Sequence, residues 1–252
     1  MIGLLFLLSL VHPESILPLG DHRAIVSSIG EFNQNDGTLV MVTDSSQKVV
    51  VTGLRDPKGL AAYQSWIFVT DVDRIWRVRR STWKAEIYVG PKDFPEPPQF
   101  LNDITAAPDG TLYVSDTFRE KIFQILPNKE IRILCDADRP NGVFFDKDTL
   151  YFVTFTKPAE LYRVVHGQPE KLYTFKQVAG GDGLWKIGKT FVVSGFQSGT
   201  VVLWSRDRGE QVLAGGLITP ADLVFDAENH QIIVPLLQVG RLRVLPLPNV
   251  DH

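Results

Sequence analysis

The sequence predicts an all-β protein, a single six-bladed β-propeller domain over residues 1–252, and three observations favour this fold. A short sequence motif, clearest at residues 101–116, recurs six times along the chain. Each copy is followed by further short apolar runs that are typical of strands, so most units contain four of them. No long amphipathic helical pattern interrupts the series. Four short strands repeated about every 40 residues are typical of a propeller.

The motif itself predicts a strand, a tight turn and a second strand. In the clearest copy the turn contains Pro108, Asp109 and Gly110. Proline presets φ for the first corner of the turn, and glycine accepts a positive φ. The unusual member is Asn102, a polar side chain at the start of an apolar strand.

Every unit carries one such polar residue, which we call the anchor. The blades are expected to begin near residues 13, 56, 100, 139, 180 and 219. The anchors are separated by 44, 44, 39, 41 and 40 residues, and they are Glu14, Lys58, Asn102, Asn141, Asp182 and Asp222. A two-sheet sandwich would not explain a regular period that carries a polar residue at the same place.

The sixth unit has only three strands, so the ring needs another strand to close it. The apolar stretch 3–10 is expected to pair with residues 241–245 and supply that strand. The alternative is a signal peptide, but no basic segment precedes the stretch and no small-residue cleavage site follows it. A strand here would favour the cytoplasm, whereas a signal remnant at 1–10 would favour a periplasmic or secreted protein. Natively expressed protein that begins beyond residue 10 would contradict closure by this stretch.

Composition restricts the partners. The chain is 44% apolar and 22% charged, with a net charge of −3 and a pI near 6.0. No basic run suggests nucleic-acid binding, and the apolar stretch is too short to span a membrane. Cys135 is the only cysteine, which excludes a disulfide framework and indicates a small buried apolar residue. A monomer acting on a small molecule is expected.

The anchors predict a metal site. The first strand of each propeller blade lines the central channel, so all six anchors should point towards one axis. Three carboxylates crowded there either take up protons or bind a cation. Their oxygen donors suit Ca²⁺ first, with Mg²⁺, Mn²⁺ or Zn²⁺ as alternatives. The predicted ligands are Glu14, Asn141 and Asp182. Alternatively, the anchors only form hydrogen bonds between blades, and Lys58 and Asp222 pair with each other or with Glu14.

Four short motifs resemble the gluconolactonase/regucalcin-like family of six-bladed propellers over nearly the whole chain. They are Pro-Glu at 13–14, Leu-Asn-Asp at 101–103, Pro-Asn-Gly at 140–142 and Asp-Gly at 182–183. The resemblance implies that Glu14, Asn141 and Asp182 hold one divalent metal. It also implies that Asp182 acts as general base and that Asn102 contacts substrate or a metal-bound water.

The chain departs from the sugar-lactone hydrolases of that family at two places. Phe100 stands where they usually carry arginine, and Ser115-Asp116 stands where they have Gly-Thr. The anchor Lys58, in Pro-Lys-Gly-Leu, resembles a less characterised branch. The expected function is a metal-dependent hydrolase of a lactone or related ester, with Asp182, Asn102 and Lys58 as catalytic residues. The alternative is a non-catalytic propeller that binds a small molecule or a protein.

Three further expectations concern the surroundings of the channel. Trp185, three residues after Asp182, is a candidate for its wall. His12 is close enough in sequence to Glu14 to reach the mouth, although a surface or capping role is favoured. The proline-rich loop 91–98 and the loop 30–37 are the expected excursions from the blades.

Overall fold

The structure, a computed structural model, describes residues 10–248. These residues form 23 strands arranged in six antiparallel sheets, five with four strands and one with three. Consecutive strands pair within each sheet, so each sheet is one blade of a propeller. The predicted all-β, six-bladed fold is confirmed. Within residues 10–248 there is no helix of the length and apolar character needed to cross a membrane.

The strands follow the predicted units closely. Blade 1 contains β1 (Pro13–Gly20), β2 (Arg23–Ser28), β3 (Gly37–Thr43) and β4 (Gln47–Leu54). Blade 2 contains β5 (Pro57–Tyr63), β6 (Trp66–Asp71), β7 (Arg74–Arg79) and β8 (Ala85–Val89). Blade 3 contains β9 (Leu101–Ala106), β10 (Leu112–Asp116), β11 (Lys121–Ile125) and β12 (Ile131–Asp136).

The second half of the ring repeats this order. Blade 4 contains β13 (Pro140–Asp146), β14 (Thr149–Thr154), β15 (Glu160–Val165) and β16 (Gln168–Thr174). Blade 5 contains β17 (Gly181–Ile187), β18 (Thr190–Gly195), β19 (Thr200–Ser205) and β20 (Gly209–Ala214). Blade 6 contains only β21 (Val224–Asp226), β22 (Gln231–Leu236) and β23 (Arg241–Pro246).

The seam between blades 6 and 1 is joined by backbone hydrogen bonds. The Leu10 amide donates to the Gly240 carbonyl at 3.1 Å, and the Asp222 amide donates to the Glu14 carbonyl at 3.1 Å. Leu10 is buried in an apolar cluster that includes Leu242. Residues 3–9 of the predicted closing strand lie outside the described residues, so closure by that strand stays a prediction.

Apolar side chains fill the space between neighbouring blades. Phe94, from the proline-rich loop 91–98, is buried against Phe123, with ring centroids 5.0 Å apart. That loop is therefore anchored in the core between blades 2 and 3. Cys135 is buried with Phe152 between blades 3 and 4, as expected. Burial, reinforced by the charge of Asp136, raises the pKa of the Cys135 thiol to about 12, which disfavours the thiolate.

A β-bulge lies at the start of the first strand in five blades. In blade 1, Pro13 pairs with Ser28 and Ile16 pairs with Val26, so three steps on β1 oppose two on β2. The same shift occurs in blades 2, 3, 4 and 5. Bulges redirect side chains and are common beside functional sites. Here they turn the anchor of each blade towards the channel.

Serine side chains satisfy several of the amides that the bulges free. The Ser27 hydroxyl accepts from the Ser15 amide at 2.9 Å, and the Ser194 hydroxyl accepts from the Gly183 amide at 2.7 Å. In blade 3 the same role falls to Ser115, which accepts from the Asp103 amide at 3.0 Å. Because a buried amide without a partner destabilises the fold, these serines stabilise the bulges.

The bulged strands approach one another so closely that three of them require glycine next to the following blade, at Gly59, Gly142 and Gly183. A Cβ at Gly142 would lie 2.3 Å from the Asp182 carbonyl oxygen. Gly142→Ala must displace backbone, and we expect it to lower the free energy of unfolding by about 1–3 kcal/mol, measured by urea denaturation. The control is Gly215→Ala, where a Cβ would meet nothing within 4 Å, and stability should be unchanged or slightly raised. Equal stabilities of the two variants would contradict the close approach.

Candidate active site in the central cavity

The anchors of five blades converge on one cavity of about 200 Å³ at the mouth of the channel. Each is the second residue of the first strand of its blade, so the bulges place all five at the same depth. All are buried, and they are Glu14, Lys58, Asn102, Asn141 and Asp182. The structure therefore brings together every residue predicted to ligate metal or to take part in catalysis.

Asp222 does not belong to this ring, contrary to the expectation from sequence. The residue at the anchor position of blade 6 is Ala221, since Pro220 occupies the place of Pro13 and Pro140 in their blades. Asp222 lies one residue further along. Its carboxylate accepts hydrogen bonds from the Ser15 hydroxyl at 2.6 Å and the Leu223 amide at 2.7 Å. It joins blades 6 and 1 and does not line the cavity.

Asp103 holds the corresponding position in blade 3. Its carboxylate accepts from the Val143 amide of blade 4 and from the Ile104 amide, both at 2.7 Å. Burial raises the pKa of Asp103, the charge of Asp222 raises it further, and these two amides oppose the shift. Asp103 and Asp222 thus form a second acidic layer whose carboxylates are hydrogen-bonded.

The two carboxylates that line the cavity are different, because each leaves one oxygen without a partner. Glu14 Oε2 and Asp182 Oδ1 are buried and accept no hydrogen bond from the described residues. Burial is the main cause that raises the pKa of both groups. For Glu14 the charges of Asp182 and Asp222 add to this shift, whereas Lys58 opposes it. Burial of a carboxylate oxygen without a protein hydrogen-bond partner is costly for the anion.

Lys58 is the one cation among the anchors. Its Nζ donates to the Asp56 carbonyl at 2.9 Å and lies 4.4 Å from the centroid of the Phe100 ring. Burial lowers the pKa of Lys58, while the charge of Glu14 favours the ammonium form. Among residues 10–248, Lys58 Nζ lies within 4.0 Å of no carboxylate oxygen. Lys58 therefore does not neutralise Glu14 or Asp182 by direct contact.

The two asparagines differ in how they are held. Asn102 Nδ2 donates to the Thr117 hydroxyl at 3.1 Å, and that hydroxyl donates to the Pro140 carbonyl at 2.8 Å. The second Nδ2 hydrogen and the Oδ1 of Asn102 remain for a ligand. Asn141 is 3% exposed and lines the same cavity.

The donor set fits a metal ion that prefers oxygen. Among residues 10–248 no group of three or more His, Cys, Asp or Glu side chains could hold a metal. The predicted set has only two carboxylates, Glu14 and Asp182, and its third donor is the amide of Asn141. Carboxylate and amide oxygens are Ca²⁺ ligands. The unpartnered oxygens of Glu14 and Asp182 are the observation that makes the fit favourable.

The residues of the cavity wall were not predicted from the sequence. It is made mainly by the residue that follows the second strand of a blade, and the members of this set are Ile29, Thr117, Phe155, Phe196 and Leu237. The first four lie 15, 15, 14 and 14 residues after their anchors, so the repeat does carry a signal. Phe32, Phe100 and Phe118 complete an aromatic mouth.

Trp185 and His12 lie outside this wall. The Trp185 ring packs against Phe144 with centroids 4.8 Å apart and does not line the cavity, so the prediction that it forms the channel wall was wrong. His12 Nδ1 lies 2.7 Å from the Gly30 carbonyl, and its ring packs on Phe32. His12 thus has the favoured capping role and supports the loop that carries Phe32.

The acidic layers predict a pH-dependent stability in metal-free protein. Burial raises the pKa of Asp222 to about 6, against about 4 in an unfolded chain. The folded state then binds the proton more tightly, so this group stabilises the fold fully below pH about 4 and the effect is lost by pH about 6. We expect urea denaturation with chelator to show stability falling by about 2–3 kcal/mol across that window from Asp222 alone. Asp222→Asn should make this fall in stability smaller without abolishing it, because the pKa values of Glu14, Asp103 and Asp182 are also raised, and an unchanged slope would contradict the assignment.

Comparison with known proteins gives the fold. No protein-family profile matches the chain, and no curated protein matches its sequence. A gluconolactonase from Xanthomonas campestris superposes with a TM-score of 0.79 at 16% identity, covering 96% of this chain and 88% of its own. A candidate gluconolactonase gives 0.74 at 16%, covering 96% and 92%. A streptogramin B lyase gives 0.69 at 13%, covering 96% of both chains. The resemblance to gluconolactonase-like six-bladed propellers is thus confirmed in the fold.

Proposed function

We propose that the protein is a metal-dependent hydrolase of a lactone or related ester, with its active site in the central cavity. The observation that carries the proposal is the pair of unpartnered buried oxygens, Glu14 Oε2 and Asp182 Oδ1. They line the same cavity as two amides and a lysine. A purely structural ring would be expected to pair such oxygens, as the second layer does with Asp103 and Asp222.

Glu14, Asn141 and Asp182 would hold the metal. Their oxygen donors favour Ca²⁺, with Mg²⁺, Mn²⁺ and Zn²⁺ as alternatives to be tested. When bound, a divalent ion supplies Lewis-acid polarisation of the substrate carbonyl and a lowered pKa for water. The likeness of the fold to a gluconolactonase supports this reaction class.

The side chains of the cavity would divide the reaction among them. The Asp182 carboxylate, whose pKa burial raises, accepts a proton from the attacking water. The free Nδ2 hydrogen of Asn102 donates to the carbonyl oxygen, and the Lys58 ammonium stabilises the negative charge that develops there. Water oxygen bonds to the acyl carbon, the ester C–O bond breaks, and the proton held by Asp182 passes to the leaving alkoxide.

The test is to measure bound metal together with lactone turnover. Purified protein should contain or bind about one Ca²⁺ per chain, melt at a higher temperature with Ca²⁺, and lose lactone hydrolysis in chelator. Protein without bound metal and without turnover would exclude the hydrolase. That outcome would favour the alternative, a propeller that binds a small molecule or protein, for which the cation of Lys58 in the cavity is the supporting observation.

A further inference from the structure

Resting on the proposed function, we infer that the substrate is a lactone or ester with an apolar substituent, not a polyhydroxylated lactone. The observation is the segregation of the cavity into a polar floor and an apolar wall. The floor consists of the five anchors. The wall carries side chains from loops of several blades, and these are Ile29, Phe32, Phe100, Phe118, Phe155, Phe196 and Leu237.

Apart from the Thr117 hydroxyl and the Arg139 guanidinium, the side chains of the wall offer no hydrogen-bond partner to a hydroxylated ring. The Thr117 hydroxyl donates to the Pro140 carbonyl and accepts from Asn102. The other polar group is Arg139, whose guanidinium lies 5.3 Å from the centroid of the Phe155 ring. Each hydroxyl of a sugar lactone placed against the apolar side chains of this wall would lose its hydrogen bonds to water without gaining hydrogen bonds to the protein. Such a pocket disfavours each added hydroxyl by up to about a hundredfold.

The mouth extends the same character to the surface. Phe118 is 57% exposed and stacks on Phe100 at 4.5 Å, while Phe32, from the loop of blade 1, is 46% exposed and lines the same cavity. An exposed aromatic pair that rims a cavity is typical of a ligand-binding edge. The Phe100 ring also lies 4.4 Å from the Lys58 ammonium and so separates this cation from the mouth.

The apolar wall and the polar floor together orient the substrate. The carbonyl must lie among the anchors, since they hold the unpartnered oxygens and the free amide hydrogen. The substituent then extends past Phe155 and Phe196 towards Phe118. Each methylene that enters the wall should raise kcat/KM by about threefold to fourfold until the cavity is filled.

The experiment compares δ-lactones whose 5-alkyl chain grows from one to seven carbons with glucono-δ-lactone, using Ca²⁺-loaded protein. We expect kcat/KM to rise with chain length and to be at least about a hundredfold lower for the sugar lactone. Phe118→Ser and Phe155→Ser should each reduce the increase of kcat/KM with chain length. The Phe118 side chain is exposed. The control is Val212→Ser, which changes a 51% exposed residue on the outer strand β20 and should leave the series unchanged.

Binding of non-hydrolysable alkyl lactams, measured by calorimetry, separates this inference from the proposed hydrolase. Tighter binding of longer lactams that is weakened in Phe118→Ser supports the apolar site even if no lactone is hydrolysed. Hydrolysis of glucono-δ-lactone at a rate equal to that of the alkyl series would overturn the substrate class and leave the hydrolase standing. Lactam affinity independent of chain length would also overturn it.

Discussion

Asp182→Asn is expected to lower kcat/KM for lactone hydrolysis by at least about a thousandfold, because it replaces an anionic metal ligand with a neutral amide and removes the proton acceptor. The substitution keeps the size of the side chain and removes its charge. Since the pKa of Asp182 is raised by burial and by nearby carboxylates, losing that charge should not destabilise the metal-free fold. The measurements are steady-state kinetics and the melting temperature with and without Ca²⁺.

The Ca²⁺-dependent melting shift should shrink strongly in both Asp182→Asn and Glu14→Gln, because each leaves the site with a single carboxylate. The matched control is Asp226→Asn, a buried aspartate that accepts hydrogen bonds from Asn229 and Gln231 in blade 6 and does not line the cavity. It should retain both turnover and the melting shift. An Asp182→Asn protein that keeps a tenth of its activity and a normal shift would show that the carboxylate neither ligates metal nor accepts the proton.

The floor of the site was predictable from sequence because the repeat places it. Each anchor follows the first residue of a bulged strand, and the bulge recurs with the motif, so Glu14 and Asp182 could be brought together from their spacing alone. The prediction that Asp222 is the anchor of blade 6 was wrong because it took the polar residue of the unit as the anchor. Counting from the preceding proline gives Ala221, which is the residue that the structure places there.

The wall could not be predicted in the same way. Phe155 and Phe196 are single apolar residues after a strand, a pattern equally typical of blade core. Whether such a side chain faces the channel depends on the path of the loop. In blade 4 the Phe155 amide bonds to the Arg139 carbonyl, and in blade 5 the Phe196 amide bonds to the Gly180 carbonyl. These contacts join segments that are 16 residues apart, and they have no local signature.

The position of Lys58 relative to the acids was another property that only the structure could supply. The sequence left open whether Lys58 neutralises the carboxylates or accompanies a metal. In the fold its Nζ is committed to the Asp56 carbonyl and the Phe100 ring, while Glu14 Oε2 stays unpartnered. Lys58 therefore acts on the ring through the longer-range field of its charge. That field is strong because the group is 2% exposed.

Lys58→Met is accordingly expected to tighten Ca²⁺ binding and to slow catalysis at the same time. At an effective dielectric of about 20, charges a few ångströms apart interact by about 3–4 kcal/mol, so losing the cation should lower the Ca²⁺ Kd at least about tenfold. The metal-free protein should be less stable, because Glu14 loses the charge that opposes its raised pKa. Without a cation near the carbonyl oxygen, kcat should fall by about a hundredfold. Calorimetric Ca²⁺ titration and lactone kinetics measure the two effects.

The control for this substitution is Lys186→Met. Lys186 is also largely buried, but it pairs with Asp146 at 2.6 Å outside the cavity, so the Ca²⁺ Kd and kcat should stay at their wild-type values. Tighter Ca²⁺ binding with unchanged kcat in Lys58→Met would remove Lys58 from the catalytic residues and leave it as a charge that limits metal affinity. An unchanged Kd with lost activity would instead place the metal beyond the field of Lys58, and the set Glu14, Asn141 and Asp182 would then need revision.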